Sequence, residues 1–231
     1  MRFEWHVEGP AAQCGNHCRT WISATGVITD DTVRAFKTFA ASGNLRGATL
    51  VLDSEGGSVL SALALGRAVR GLEMTTTVGR ATVLAPDRSG AVRATLSHKA
   101  SCESMCTFVL LAGTRRYVAT EARVLVHQIW LGSKSKRARE ASYSADELNL
   151  VQRDVGRLAR YTVEMGGGIE LIETALRVPP WEPMHRLSPG ELRSMRVTTV
   201  DYLFEPAPEA PAVASPIPNA GSTTARGQRK N

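Results

Sequence analysis

The strongest constraint on this chain is a strand, a glycine turn and a helix in immediate succession. The run Ala48 to Leu52 is apolar enough for a buried parallel strand, Ser54-Glu55-Gly56-Gly57 turns the chain, and Val59 to Val69 resumes as a helix rich in alanine and leucine. A buried parallel strand needs crossover connections and cover on its faces, so the rest of the sequence must supply both. The order is superficially that of a phosphate-binding unit, but the full dinucleotide spacing and a Gly-Lys-Ser/Thr ending are absent, and no nucleotide or other cofactor is expected.

The flanking patterns agree with an α/β domain. Trp21 to Val27 reads as a strand, followed by Thr29-Asp30-Asp31 with capping oxygens and by Val33, Phe36, Phe39 and Ala40 at helical spacing. Met74 to Val78 and Ala91 to Leu96 read as strands around the turn Pro86 to Gly90. Ser104 to Ala112 reads as a buried helix, and Arg116 to Ala119 and Val124 to Gln128 as short strands. Ser144-Ala145-Asp146-Glu147 has the pattern of a capping box, which starts a long helix ending near Met165 before Gly166-Gly167-Gly168. Its apolar face is drawn by Leu148, Val151, Val155, Leu158 and Val163. Ile169 to Leu176 gives another helix, and Leu187 to Glu191 opens a last short one.

At 231 residues the chain can bury one substantial core, taken as a single domain over residues 1–204. From Glu205 onward it carries five of the 11 prolines and ends in Arg226-Gly227-Gln228-Arg229-Lys230, the composition of a disordered basic tail. The net charge of +6 comes with only 22% charged residues and no aromatics interleaved with the basic ones, so no nucleic-acid partner is expected. The densest basic run, Lys134 to Arg139, reads as a solvated loop. No apolar stretch reaches the roughly 18 to 20 residues that cross a bilayer, and neither a membrane span nor a complete signal peptide is expected.

The four cysteines fall in two pairs, Cys14 with Cys18 and Cys102 with Cys106. For the first pair a disulfide in a short loop, ordinary thiols, or metal binding with His17 all stay open, although three donors in one loop leave a tetrahedral site incomplete. For the second, two cysteines one turn apart in a regular helix have poor disulfide geometry, so each is expected as a core residue or a partner of the other pair. Periplasmic and cytoplasmic locations both remain compatible with this usage.

One constellation carries chemistry. Cys102-Glu103-Ser104-Met105-Cys106 opens an apolar run, Val124-Leu125-Val126-His127-Gln128 ends a strand in a histidine, and Gly56-Gly57 follows the first buried strand. They read together as a serine nucleophile, a base and an oxyanion-binding turn. The structural alternative is a core serine bonded to a backbone carbonyl and a histidine at a strand end. Trp130 and Trp181 each follow a site element, and either packing or a substrate groove would suit them.

These segments, Ser54 to Ser58, Ser104 to Gly113 and Arg123 to Gln128, resemble in order and spacing three signature regions of the Clp protease proteolytic subunit. The stretch from Cys14 to Phe204 is similar to bacterial Clp-protease-like proteins, many of them predicted to be periplasmic. The resemblance implies an α/β Clp protease/crotonase-like spiral of β-β-α units. It implies Ser104 as nucleophile, His127 as general base, the backbone N–H groups of Gly57 and Met105 as oxyanion hole, and a peptide or protein substrate.

Two positions depart from the family pattern. Met184 stands where the family has an aspartate, so Glu182 is the expected third member, with Asp146 and Glu173 as weaker substitutes. Glu55 replaces the proline that usually precedes the paired glycines. Ring-assembly and ATPase-docking features are not matched, so a monomer or small homo-oligomer is expected. A catalytically degenerate binding or scaffold protein is the alternative to a serine hydrolase, whereas crotonase-type acyl-CoA enzymes do not need the serine and histidine pair.

Overall fold

In the computed structural model of the chain, residues 1–10, 14, 18–85, 93–132 and 139–204 are described. The tail 205–231, the turn Pro86 to Gly90, His17 and most of the basic run after Gly132 lie outside them.

Seven strands form one mixed sheet in the order β5-β6-β1-β2-β3-β4-β8. They are β1 Arg2–Glu8, β2 Thr20–Thr25, β3 Thr49–Asp53, β4 Thr75–Val78, β5 Arg80–Val83, β6 Arg93–Ser97 and β8 Arg115–Tyr117. Strands β2, β3, β4 and β8 run parallel, and β3 is buried at every position, as its apolar run requires. Crossovers are made by α1 (Thr32–Ala40), between β2 and β3, and α2 (Val59–Gly71), between β3 and β4. A second sheet, β10-β9-β7, comprises β7 Ser101–Glu103, β9 Arg123–Val126 and β10 His185–Arg186. The remaining helices are α3 (Met105–Leu111), α4 (Ala145–Glu164), α5 (Glu170–Leu176) and α6 (Pro189–Ser194).

Strand alternation divides the core. Ile22, Ala24, Leu50 and Leu52 join the helices in the main cluster, while Trp21 and Val51 point the other way and meet Ala94. Strand β5 touches β2 and β3 although β6 and β1 lie between them in the sheet order, so the sheet curls over this smaller cluster.

Sequence reading assigns no element to the mixed-polarity segment Met1–Ala11, yet β1 is an interior strand, antiparallel to β2 and parallel to β6. Its alternation explains the fit: Phe3 joins the main core, and His6 on the opposite face is buried, bonded to Ser23 at 2.9 Å. The long helix begins where its capping box puts it, with both reciprocal bonds of Ser144 and Glu147 present. Its expected apolar face is corrected in part: Leu158 is buried together with Tyr161, whereas Leu148 and Val163 are exposed.

Both cysteine pairs are disulfide-bonded, Cys14 to Cys18 and Cys102 to Cys106. The second bond corrects the expectation for that pair. Cys102 belongs to β7 rather than to a helix, and α3 starts only at Met105, so the objection from regular helix geometry does not apply.

Candidate active site

The site is assembled where the two sheets meet. Ser54, just past β3, pairs in parallel with Cys102, and β7 lies between this segment and β9. Three backbone bonds fix the junction: Ser54 N to Ser101 O at 3.0 Å, Glu103 N to Ser54 O at 2.9 Å, and Ser104 N to Leu125 O at 2.8 Å. At Ser104 the chain turns sharply from strand to helix with φ +52° and ψ −121°. A positive φ at a non-glycine residue costs on the order of 1–3 kcal/mol, and strain of this kind clusters at active sites. The turn leaves Ser104 partly open while the whole of α3 behind it is buried.

The Gly56-Gly57 turn packs onto that elbow. Gly56 has φ +85°, and a Cβ there would stand 2.6 Å from the Glu103 carbonyl oxygen and 2.9 Å from Met105 N, so only glycine permits the approach. Gly57 is bracketed by two bonds to one residue: Ile28 N donates to Gly56 O at 2.7 Å and Ser58 N donates to Ile28 O at 2.8 Å. The intervening N–H of Gly57 therefore points away from Ile28, and it has no acceptor among the described residues. The N–H of Met105, at the first position of α3, likewise has none. Two backbone donors with no acceptor among the described residues thus belong to residues that line one cavity with Ser104.

A cavity of about 440 Å³ opens over these groups, lined by Gly57, Ser104, Met105 and His127, with Val59, Ile129, Trp130 and Met184 among its apolar walls. Glu55, exposed at the rim, is its one carboxylate among the described residues. His127 follows β9, and its ring lies 4.5 Å from that of Trp130 between centroids. Trp130 therefore lines the cavity, whereas Trp181 is exposed and outside its lining. Burial pushes the His127 pKa below its ordinary value, with the Gln128 backbone and the Glu103 carboxylate opposing the shift. Its Nδ1 and the Trp130 Nε1 are both buried, with no hydrogen-bond partner among the described residues.

Ser104 and His127 share this cavity, but no direct hydrogen bond joins them among the described residues. Among the described residues no carboxylate hydrogen-bonds the imidazole either. Glu182 is exposed in the turn before β10 and outside the cavity lining, Asp146 is exposed at the start of α4, and Glu173 is exposed and 4.0 Å from Arg177. Met184 does line the cavity, at the position where the resemblance implies an acid. The exposure of Glu182 follows from its turn, which is closed by Glu182 N to Pro179 O at 3.1 Å. The carboxylate nearest in effect is Glu103, whose register partner Leu125 lies two residues before His127 and whose Oε1 accepts from Ser101 Oγ at 2.8 Å. Sequence reading passed over Glu103, and the only available signal was its place beside Ser104.

The histidines give a pH test. His6 and His127 both have pKa values lowered from 6.5 by burial. The folded state thus binds fewer protons than the unfolded chain, and the stability they contribute is present above pH 6.5 and lost as pH falls through the lowered values. Urea midpoints should fall between about pH 7 and pH 5, and less so in His6→Gln. An unchanged midpoint in the parent would contradict the neutral assignment.

No protein-family model and no curated protein matches the chain.

Proposed function

We propose that the protein is a slow serine hydrolase acting on acyl substrates, with peptides and proteins as the substrate class. The carrying observation is the convergence of the Ser104 elbow with the two free backbone donors of Gly57 and Met105 on one cavity that also holds His127. Ser104 Oγ attacks the carbonyl carbon, the carbonyl π electrons move to oxygen, and the two N–H groups stabilise the charge that develops there. The Oγ proton passes to His127 Nε2, the ring nitrogen left once Nδ1 is enclosed. As the bond to the leaving group breaks, that proton goes to the leaving group. Water then attacks the acyl ester, giving its proton back through His127 and releasing the acid and Ser104.

The slowness has a physical cause. Imidazolium formed during attack has no carboxylate on Nδ1 among the described residues, and the loss of that partner costs about 10⁴-fold in well-studied triads. The same observation favours a second reading, a binding protein that keeps the cavity and has lost turnover. Two disulfides fit maturation in an oxidising compartment such as the periplasm. No described helix is long and apolar enough to cross a membrane.

A serine-directed fluorophosphonate decides between the readings. The parent should label, Ser104→Ala should not, and His127→Ala should label at least about 10²-fold more slowly. Glu182→Gln should match the parent, since its carboxylate is outside the cavity. A parent that never labels would leave the binding reading in possession of the site.

A further inference from the structure

We propose that the Cys102–Cys106 disulfide is a positioning element of the candidate site, so that the hydrolase proposed above works at full rate only with this pair oxidised. The inference rests on that hydrolase reading and adds a condition to it. The bonded residues lie two before and two after Ser104. In serine hydrolases with a strand-to-helix elbow, these are the positions of the two glycines in G-x-S-x-G, where the tight turn brings the flanking residues together. Here the Cα atoms of Cys102 and Cys106 are 5.1 Å apart, against about 13 Å for four residues of extended strand. Two side chains at that separation must be accommodated, and the chain does so by bonding them.

The covalent ring has Ser104 at its midpoint, with its positive φ, and contains Met105, one of the two free N–H donors. Its anchors are rigid. Cys102 is fully buried and paired in parallel with both Ser54 and Val124, and Cys106 is fully buried in α3. The bond therefore ties the last strand residue held by both neighbours to the first turn of the helix, and the three residues between cannot relax toward an ordinary negative φ. Without it, Ser104 can relax and Met105 N–H turns away from Gly57 N–H. Reduction by dithiothreitol supplies two electrons and two protons, giving two thiols and the cyclic disulfide of the reagent. The Cys14–Cys18 bond lies outside the cavity lining and serves as the internal control.

The test compares fluorophosphonate labelling of the oxidised parent, Cys102→Ala/Cys106→Ala and Cys14→Ala/Cys18→Ala, each checked for fold by circular dichroism. The site variant should lose about 10- to 100-fold in the labelling rate at saturation with little change in the half-saturating concentration, because the nucleophile is misplaced while the cavity is kept. The control variant should label like the parent. As a second measurement, the parent refolded under dithiothreitol should label as slowly as the site variant and recover on reoxidation. Parent-like labelling by a folded site variant or by the reduced parent overturns the proposal. A folded structure lost in both forms also overturns it, since the bond is then a folding requirement and not a positioning one. An oxidised parent that does not label at all overturns the hydrolase reading itself, and this inference with it.

Discussion

Gly57→Ala should lower turnover by at least about 10²-fold and destabilise the fold as well. Gly57 has φ +138°, a conformation L side chains rarely adopt, and a Cβ there would run into the Ile28 carbonyl oxygen, with Ile28 C at 3.0 Å and Ile28 N at 3.1 Å. Nothing soft surrounds the new atom, because Ile28 is a backbone contact and its own side chain is buried. Relief requires breaking the two bonds that Ile28 makes to Gly56 and Ser58, which turn the Gly57 N–H away from Ile28. Loss of one oxyanion donor is worth about 10²- to 10³-fold, and displacing two backbone bonds adds about 1–3 kcal/mol of instability. Gly47→Ala supplies the comparison: its φ is also positive, at +71°, but open space surrounds it, so it should show only the backbone penalty. Parent-like labelling by Gly57→Ala would mean that this N–H takes no part in the reaction.

How much of this was legible in the sequence follows the physics of each element. The β3 strand, its glycine turn and α2 were readable because an apolar run, a turn and a helix each have a local signature, and the capping box at Ser144 fixed the start of α4 to the residue. Strand β1 went unread although Arg2–Glu8 carries the polar–apolar alternation of a half-buried strand: Arg2, Glu4, His6 and Glu8 interrupt any apolar run, and its interior place comes from neighbours on both sides. Strand β5 was missed because it has only four residues and these are largely exposed.

The site divides in the same way. Ser104, His127 and Gly57 lie at turns or element ends that the pattern marks, Met105 came only with the resemblance, and all four line one cavity, their roles being the proposal made above. Glu182 could not be judged from the sequence, because where Pro180 and Pro183 aim the carboxylate between them depends on the tertiary path of the turn. The Cys102–Cys106 bond was hidden by a boundary of a few residues: drawing Cys102 into the helix forbids the bond, and ending β7 before Ser104 permits it.

Behind the elbow, Arg116→Met should destabilise the protein by about 2–4 kcal/mol, a large share of the roughly 5–15 kcal/mol available to such a fold. Arg116 is 4% exposed, and its guanidinium donates to Gly113 O at 2.9 Å, Met165 O at 3.3 Å and Arg196 O at 2.7 Å. Burial, with Arg70 and Arg196 adding repulsion, pulls its pKa down to about 10; among the described residues the cation has no carboxylate partner and is solvated by carbonyl oxygens at helix ends. Removing the charge recovers desolvation energy, which argues for a small effect. Against this, methionine leaves Arg196 O without its donor, and Gly113 O and Met165 O keep only Arg70, at 3.1 and 3.0 Å. The one unmet acceptor, Arg196 O, and the two lost bonds to Gly113 O and Met165 O outweigh the gain because the Met side chain bonds to none of them. Arg70 still holds Ala112 O at 2.6 Å and Leu111 O at 3.3 Å, which keeps the end of α3 in place, so the folded variant should retain its labelling. Urea unfolding of the two chains measures the difference, and a variant as stable as the parent would show that the carbonyl cage contributes nothing beyond the cost of burying the charge.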